Sequence, residues 1–196
     1  FPAQTQLLDL HDNHFHYLPA NSFPGSSQLV SLHLQSCKIH EIEGGALQGM
    51  KNLLYLYLSD NDLMSLDPKA FAGVPKLTYI HLERNKLAQF PGSGQWINYI
   101  KSLYLGNNNL TYIAKGALDS DSLCTLHLDS NQLTEVPTHA LLETSNLQEL
   151  NLSGNSVRWV GPNAFQPLSK SLKRLYMDHM GMEKLLMLPV QIWHPY

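Results

Sequence analysis

The sequence predicts a leucine-rich-repeat solenoid, with a curved parallel β-sheet on its concave face and an irregular, short-helical convex side. Three observations carry that fold class: the recurring pattern L-x-x-L-x-L-x-x-N-x-L, its return about every 24 residues, and a second apolar set behind each copy.

The copies begin at Thr5, Leu29, Leu53, Leu77, Ile100, Leu123, Leu147 and Leu172, at intervals of 24, 24, 24, 23, 23, 24 and 25 residues. Each encodes one short strand whose alternate leucines point inward while the residues between them face solvent. Leu66, Ala70, Phe71 and Val74 follow the third strand, and Val160, Ala164, Phe165 and Leu168 follow the seventh; these sets close the core from the convex side. No repeat buries its own apolar face, so stacking on neighbours supplies the stability and the ends need covers. Residues 1–185 are expected to form one repeat domain, and residues 186–196 a non-repeat tail.

The asparagine of the pattern recurs at Asn13, Asn61, Asn85, Asn108, Asn131 and Asn155. Its amide is expected to turn inward and satisfy turn backbone that the sheet leaves unpaired, a structural role. Cys37 occupies the same column and reads as a buried thiol. Cys124 lies four repeats further on. At a strand spacing of ~4.8 Å that is ~19 Å, beyond the ~7 Å that a disulfide tolerates between α-carbons, so the two are not bonded to each other.

Bulk properties exclude other classes. With 196 residues and 43% hydrophobic content the chain is long enough for a sizeable core. A net charge of −3 without any Lys/Arg run gives phosphate backbones nothing to hold, so nucleic acid is not an expected partner. No apolar stretch approaches the ~20 residues that span a bilayer, so membrane insertion is not expected. Phe1 opens directly into repeat sequence, which places any signal peptide upstream of it.

The sequence contains ten histidines, and His33, His81 and His127 share one outward strand position. They fall in alternate repeats, ~10 Å apart, whereas zinc ligands must each come within ~2.1 Å of one ion. His11, His14 and His16 lie closer together but leave the strand for the turn with no metal spacing, so neither a metal nor another cofactor is expected. No serine or cysteine stands in a nucleophile-elbow context, and the Gly-Ser-Gly starting at Gly92 is too short to cradle phosphate. Carboxylates on an open sheet lack a water-excluding pocket. An enzyme is therefore not expected. Two N-glycosylation sequons begin at Asn109 and Asn151; the first falls just after its strand, the second within a strand facing the concavity, where a glycan would obstruct binding.

Period-two alternation also maps the concave surface. Its central column is Asp9, His33, Tyr57, His81, Tyr104, His127, Asn151 and Tyr176, and the column before it includes Tyr55 and Tyr79. Exposed aromatic side chains supply large contact area at small entropic cost, which marks a binding stripe. Over four outward columns the acids are Asp9, Asp12, Asp60, Glu83, Asp129, Glu149 and Asp178, seven in all, against two bases, Arg84 and Arg174. The expected site is therefore His33, Tyr55, Tyr57, Tyr79, His81, Tyr104, His127 and Tyr176 with Asp60, Glu83 and Asp129 beside them, facing an extended protein partner that carries lysine or arginine.

The segments LVSLHLQSCKI, LLYLYLSDNDL, LHLDSNQLTEVP and NAFQPLSKSLKRLY, with Cys37 in the second repeat and the lengthened seventh interval, resemble the chondroadherin and chondroadherin-like family from Thr5 to Leu185. That resemblance, and not the periodicity, implies a secreted extracellular-matrix protein of cartilage that binds collagen and influences fibril assembly and chondrocyte behaviour. The chain departs from the family by lacking cysteine-rich caps, by its tail from Leu186, and around Gly92 to Tyr99, where the usual Ala-Phe pair is lost and the family pattern implies a missing repeat. The repeat fold alone equally accommodates a segment of a signalling receptor or of a growth-factor-sequestering protein.

Overall fold

A computed structural model describes residues 1–92 and 95–184. The tail from Leu186, the domain end at Leu185, and Ser93 and Gly94 lie outside the described residues. Ten strands run in chain order: β1 (Leu7–Asp9), β2 (Tyr17–Leu18), β3 (Ser31–His33), β4 (Glu41–Ile42), β5 (Tyr55–Tyr57), β6 (Tyr79–His81), β7 (Ser102–Tyr104), β8 (Thr125–His127), β9 (Glu149–Asn151) and β10 (Arg174–Tyr176). Eight of them stack in parallel in the order β1-β3-β5-β6-β7-β8-β9-β10, and β2 pairs with β4 in a separate two-stranded sheet. The chain is a leucine-rich-repeat solenoid, as its sequence predicts.

The register joins Asp9, His33, Tyr57, His81, Tyr104, His127, Asn151 and Tyr176 into one column, the one that alternation places at the centre of the concave face. Between the outward positions, Leu32, Leu56, Ile80, Leu103, Leu126 and Leu150 have no exposed surface at all, whereas their counterpart Leu175 on the end strand is 39% exposed. Burial comes from the next coil, and an end strand has only one neighbour. On the convex side Leu66, Ala70, Phe71 and Val74 are buried. The connection there is a 3₁₀ turn, Pro68–Phe71, started by Asp67, whose carboxylate accepts the Lys69 N–H at 2.9 Å. Where the Ala-Phe pair is lost, a 3₁₀ turn spans Gln95–Tyr99, and Trp96 stacks on Phe71 at 4.9 Å. Ile97 is buried there and Trp96 packs against the core, and β6 pairs with β7 without a gap in the sheet.

The chain leaves each concave strand through a left-handed residue. Asp12, Ser36, Asp60, Arg84, Asn107, Ser130, Gly154 and His179 all have φ between 53° and 74°. That conformation costs a non-glycine residue about 1 kcal/mol or more. It persists because it turns the following residue inward and lets the backbone bond to the next coil: Asp60 N–H donates to Glu83 O at 3.0 Å, Arg84 N–H to Gly106 O at 2.9 Å and Ser130 N–H to Ser153 O at 2.7 Å.

The residue turned inward is the asparagine. Asn61, Asn85, Asn108, Asn131 and Asn155 are buried. Each is a staple between coils: the Asn85 amide donates to Leu58 O of the preceding coil at 2.9 Å and to Leu82 O of its own at 3.1 Å, while its oxygen accepts the Leu63 N–H at 3.1 Å. Asn13 does not fit the inward expectation. It is exposed and makes one bond, to Leu10 O at 2.8 Å, there being no earlier coil among the described residues for it to staple. Cys37 is fully buried in the asparagine slot and its thiol donates to Leu10 O at 3.1 Å, the bond an amide makes elsewhere. A thiol is a poor substitute for the amide oxygen, and the Phe15 N–H turns to the Cys37 backbone carbonyl instead, at 3.0 Å. Both cysteines are free.

Candidate binding surface

Strand stacking spaces the outward side chains of one column by roughly 4.8 Å, close to the separation at which aromatic rings stack. The concave face uses that coincidence. His33 stacks on Tyr57 at 4.3 Å, Tyr57 on His81 at 4.6 Å and His81 on Tyr104 at 4.4 Å, with planes within 15° of parallel. Tyr104 then meets His127 edge-on at 4.9 Å. Beside this ladder, Tyr55 and Tyr79 stack at 4.7 Å with planes 8° apart. Seven of the expected aromatic site residues thus form two side-by-side stacks across β3 to β8, a five-ring ladder and a tyrosine pair. Tyr176 stands apart on β10, separated from His127 by Asn151 and 44% exposed.

Stacking changes what these rings offer. All seven rings are half-buried, because they cover one another's faces. The expectation that these side chains simply point to solvent is refined: a partner meets ring edges and tyrosine hydroxyls, and the faces between stacked rings are covered.

The acidic border is largely paired within the fold. Arg84 holds Asp60 through two parallel bonds of 2.7 and 3.0 Å, which raises the guanidinium's already high pKa. Glu149 lies between His127 at 2.7 Å and Arg174 at 2.6 Å, and these two partners, His127 first, hold its carboxyl below the usual range. Asp9 is lowered by His11 at 2.6 Å, and Asp178 by the Ser153 hydroxyl and by His179 at 2.8 Å. Both arginines of the four columns are therefore spent on internal carboxylates.

Glu83 and Asp129 differ. Among the described residues neither forms an ion pair with a lysine or arginine, although both act at longer range on Arg84. The nearest base to Glu83 is His81, whose Nδ1 lies 3.4 Å from Oε1, and that oxygen is buried without a hydrogen-bond donor. Asp129 leans over Gly106 so closely that a side chain at 106 would come within 2.8 Å of its carboxylate oxygens. The absent side chain at Gly106, two residues past the end of β7, leaves this second carboxylate room to lean over the neighbouring coil.

Of the two sequons, Asn109 and Thr111 are both exposed, whereas the Asn151 oxygen already accepts the Ser153 N–H at 3.0 Å and Ser153 is itself bonded to Asp178. Among the described residues no three His, Cys, Asp or Glu side chains are gathered as metal ligands, and no helix is long and apolar enough to cross a membrane.

Two stretches of the chain, residues 27–87 and 121–180, match the leucine rich repeat family and together make up more than half of it. Human chondroadherin-like protein is 60% identical over 42 residues, 21% of this chain and 6% of that protein. Bovine asporin is 33% identical over 95 residues, 48% of this chain and 25% of that protein. These aligned stretches are far shorter than the Thr5 to Leu185 span of the resemblance, and each covers only a small part of the relative. The crystal structure of human trophoblast glycoprotein superposes with a TM-score of 0.75 over 91% of this chain and 71% of that one, at 23% identity, a likeness of fold.

Proposed function

The chain belongs to the leucine-rich repeat family, and we propose that it is a secreted matrix module that binds a protein, a collagen, across its concave sheet. One observation carries the reading: a preassembled five-ring ladder beside a stacked tyrosine pair, edged by Glu83 and Asp129, which form no ion pair with a lysine or arginine among the described residues. Mutually stacked rings have lost their rotamer freedom before any partner arrives, so binding orders little. Glu83 and Asp129 supply the charge that a lysine- or arginine-bearing partner matches. A collagen triple helix buries its glycines and exposes its other side chains, which suits a rigid, gently curved floor of ring edges. The stretch similar to chondroadherin-like protein and the longer one similar to asporin support a matrix setting, and the resemblance to the chondroadherin family directs the choice to collagen.

Surface plasmon resonance against fibrillar collagens tests the reading. Tyr57→Ala or Tyr79→Ala is expected to weaken binding by about 1 to 2 kcal/mol, as hot-spot truncations do. Glu83→Gln with Asp129→Asn is expected mainly to slow association and flatten its salt dependence. The convex substitution Lys69→Ala is the control. Loss of binding in the control with retention in the tyrosine variants places the partner on the other face and refutes the proposal.

A further inference from the structure

Tyr112 has no evident use within the fold. It is 63% exposed, and among the described residues it stacks on no other ring and its hydroxyl makes no hydrogen bond. The same place in the first coil is held by Tyr17, whose hydroxyl donates to Glu43 at 2.6 Å, so a tyrosine here can be tied down. This one is not, and a large ring left in water forgoes the contact area that is its main contribution.

What sets Tyr112 apart is the residue three places before it. Asn109-Leu110-Thr111 is a sequon, and burial sorts the two sides of this stretch: Leu110 and Ile113 are 0% and 8% exposed, whereas Asn109, Thr111 and Tyr112 all lie open. The Asn109 backbone is fixed to the preceding coil, its N–H donating to Leu87 O at 2.8 Å, while among the described residues its side-chain amide makes no hydrogen bond. An attached sugar therefore starts from a fixed point on the flank that carries the ring. Three residues of extended backbone span at most roughly 10 Å, a distance that two linked sugar rings cover.

We propose that the N-linked glycan of Asn109 is seated on the protein: its inner N-acetylglucosamine rings fold back over Tyr112 into the groove between the coils of β7 and β8. The inference goes beyond the concave site and shares with it only passage through a secretory route.

The groove has the chemistry of a sugar seat. Thr111 and Tyr112 edge it from one coil, Thr134 and Glu135 from the next, with the buried Ile113 and Leu133 between them. A pyranose ring presents C–H bonds on its faces and hydroxyls round its rim. The faces suit the tyrosine ring. The hydroxyls meet the Thr134 hydroxyl and the Glu135 carboxylate, both exposed and neither making a side-chain hydrogen bond among the described residues. At about 170 Å³ the groove is smaller than the ~300 Å³ from which pockets hold a free small molecule. A tethered sugar needs less grip, because attachment three residues away keeps it at an effective concentration on the order of mM. Size and tether together select a glycan of this chain over a free ligand, and the polar rim selects a sugar over an apolar side chain.

The experiment expresses the whole chain through a mammalian secretory route with an isotopically labelled glycan. Glycopeptide mass spectrometry is expected to find Asn109 occupied. Nuclear magnetic resonance is expected to find protons of the inner N-acetylglucosamine rings upfield of their positions in the free glycan, as protons over an aromatic face are. The shift is expected to remain in Tyr112→Phe and to vanish in Tyr112→Gln, which installs the residue that Gln89 supplies at this place in the preceding coil. Trp159→Gln is the control, since Trp159 holds the same place in the coil of β9, is 59% exposed, and has Ser156 where Asn109 stands; the shift is expected to remain in it. Urea unfolding gives a second reading: the midpoint gap between the occupied chain and Asn109→Gln is expected to be present with Tyr112 and to close in Tyr112→Gln. Asn109 bare in the secreted chain, glycan protons at their free positions, an upfield shift that survives Tyr112→Gln or is lost in Trp159→Gln, or a midpoint gap that Tyr112→Gln leaves unchanged each overturns the proposal. Should Tyr112→Gln misfold, Tyr112→Leu must lose the shift, and its survival there overturns the proposal equally.

Discussion

Asn85→Ala tests the staple between coils. The substitution removes an acceptor from the buried Leu63 N–H and a donor from the carbonyls of Leu58 and Leu82. The three groups are not equivalent. A carbonyl has a second lone pair and takes part of its bonding elsewhere, whereas the Leu63 N–H has one proton and, with Asn85 only 7% exposed, little water to give it to. Stranding a buried donor costs about 1 to 3 kcal/mol, and weakening two carbonyls adds to it, so the expected loss is about 2 to 4 kcal/mol. Asn13→Ala is the internal comparison: same residue type and column, but exposed, with one bond to Leu10 O, so its cost should stay below about 1 kcal/mol. Urea unfolding followed by far-ultraviolet circular dichroism reads both, and the difference between the two midpoints carries the test. Because coils contact only their neighbours, a broadened Asn85→Ala transition at the same final midpoint would mean that the array splits at the lost staple. Equal midpoints and equal slopes for the two variants would refute the account of the column.

Glu149→Gln probes the pair on β8 to β10. The Glu149 carboxyl is held below its ordinary pKa by His127 and Arg174, so its contribution is complete at neutral pH, above the unfolded value, and is lost as pH falls through the depressed folded value. The variant should therefore be less stable than the wild type at pH 7, with the gap closing under acid conditions below the usual glutamate range; a gap that widens on acidification would reverse the sign and reject the pairing. The sequons are expected to differ when the chain is expressed through a mammalian secretory route. Mass spectrometry of glycopeptides should find Asn109 occupied and Asn151 bare, because the Asn151 side chain is tied to Ser153 inside a strand; glycan on Asn151 would show that this strand end opens before folding is complete.

Much of this molecule is readable from the spacing of its leucines. A period of two within each strand and of about 24 between them places every outward side chain in a column, and the strand register reproduces those columns residue for residue. Contacts along a column are harder to read. Arg84 and Asp60 are 24 residues apart in sequence and their bidentate pair spans adjacent strands, so counting acids against bases finds an excess without showing which members cancel. The left-handed column reads Asp, Ser, Asp, Asn, Ser, Gly and His, the residues that tolerate a turn, but Arg84 has no such tendency and takes φ of 55° between two stack neighbours in the same conformation. Asn13 fails for the opposite reason. Its sequence context is that of its column, and only its place at the end of the stack exposes it.

Ring stacking follows from the columns themselves. Once tyrosine and histidine occupy one column at ring-stacking distance, each ring must either lie against its neighbours or leave the sheet, and burial of the faces favours the first. The five-ring ladder therefore behaves as one body. Truncating Tyr57 removes two stacking contacts, each worth about 0.5 to 1.5 kcal/mol, and also frees His33 and His81 to move. Part of any affinity lost in Tyr57→Ala then belongs to rings that remain in place. Tyr79 has a stacking partner on one side only, so its truncation loosens Tyr55 alone. If preassembly matters to binding, Tyr57→Ala should cost more affinity than Tyr79→Ala even against a partner that touches both, and combining Tyr57→Ala with His81→Ala should cost less than the two single losses together.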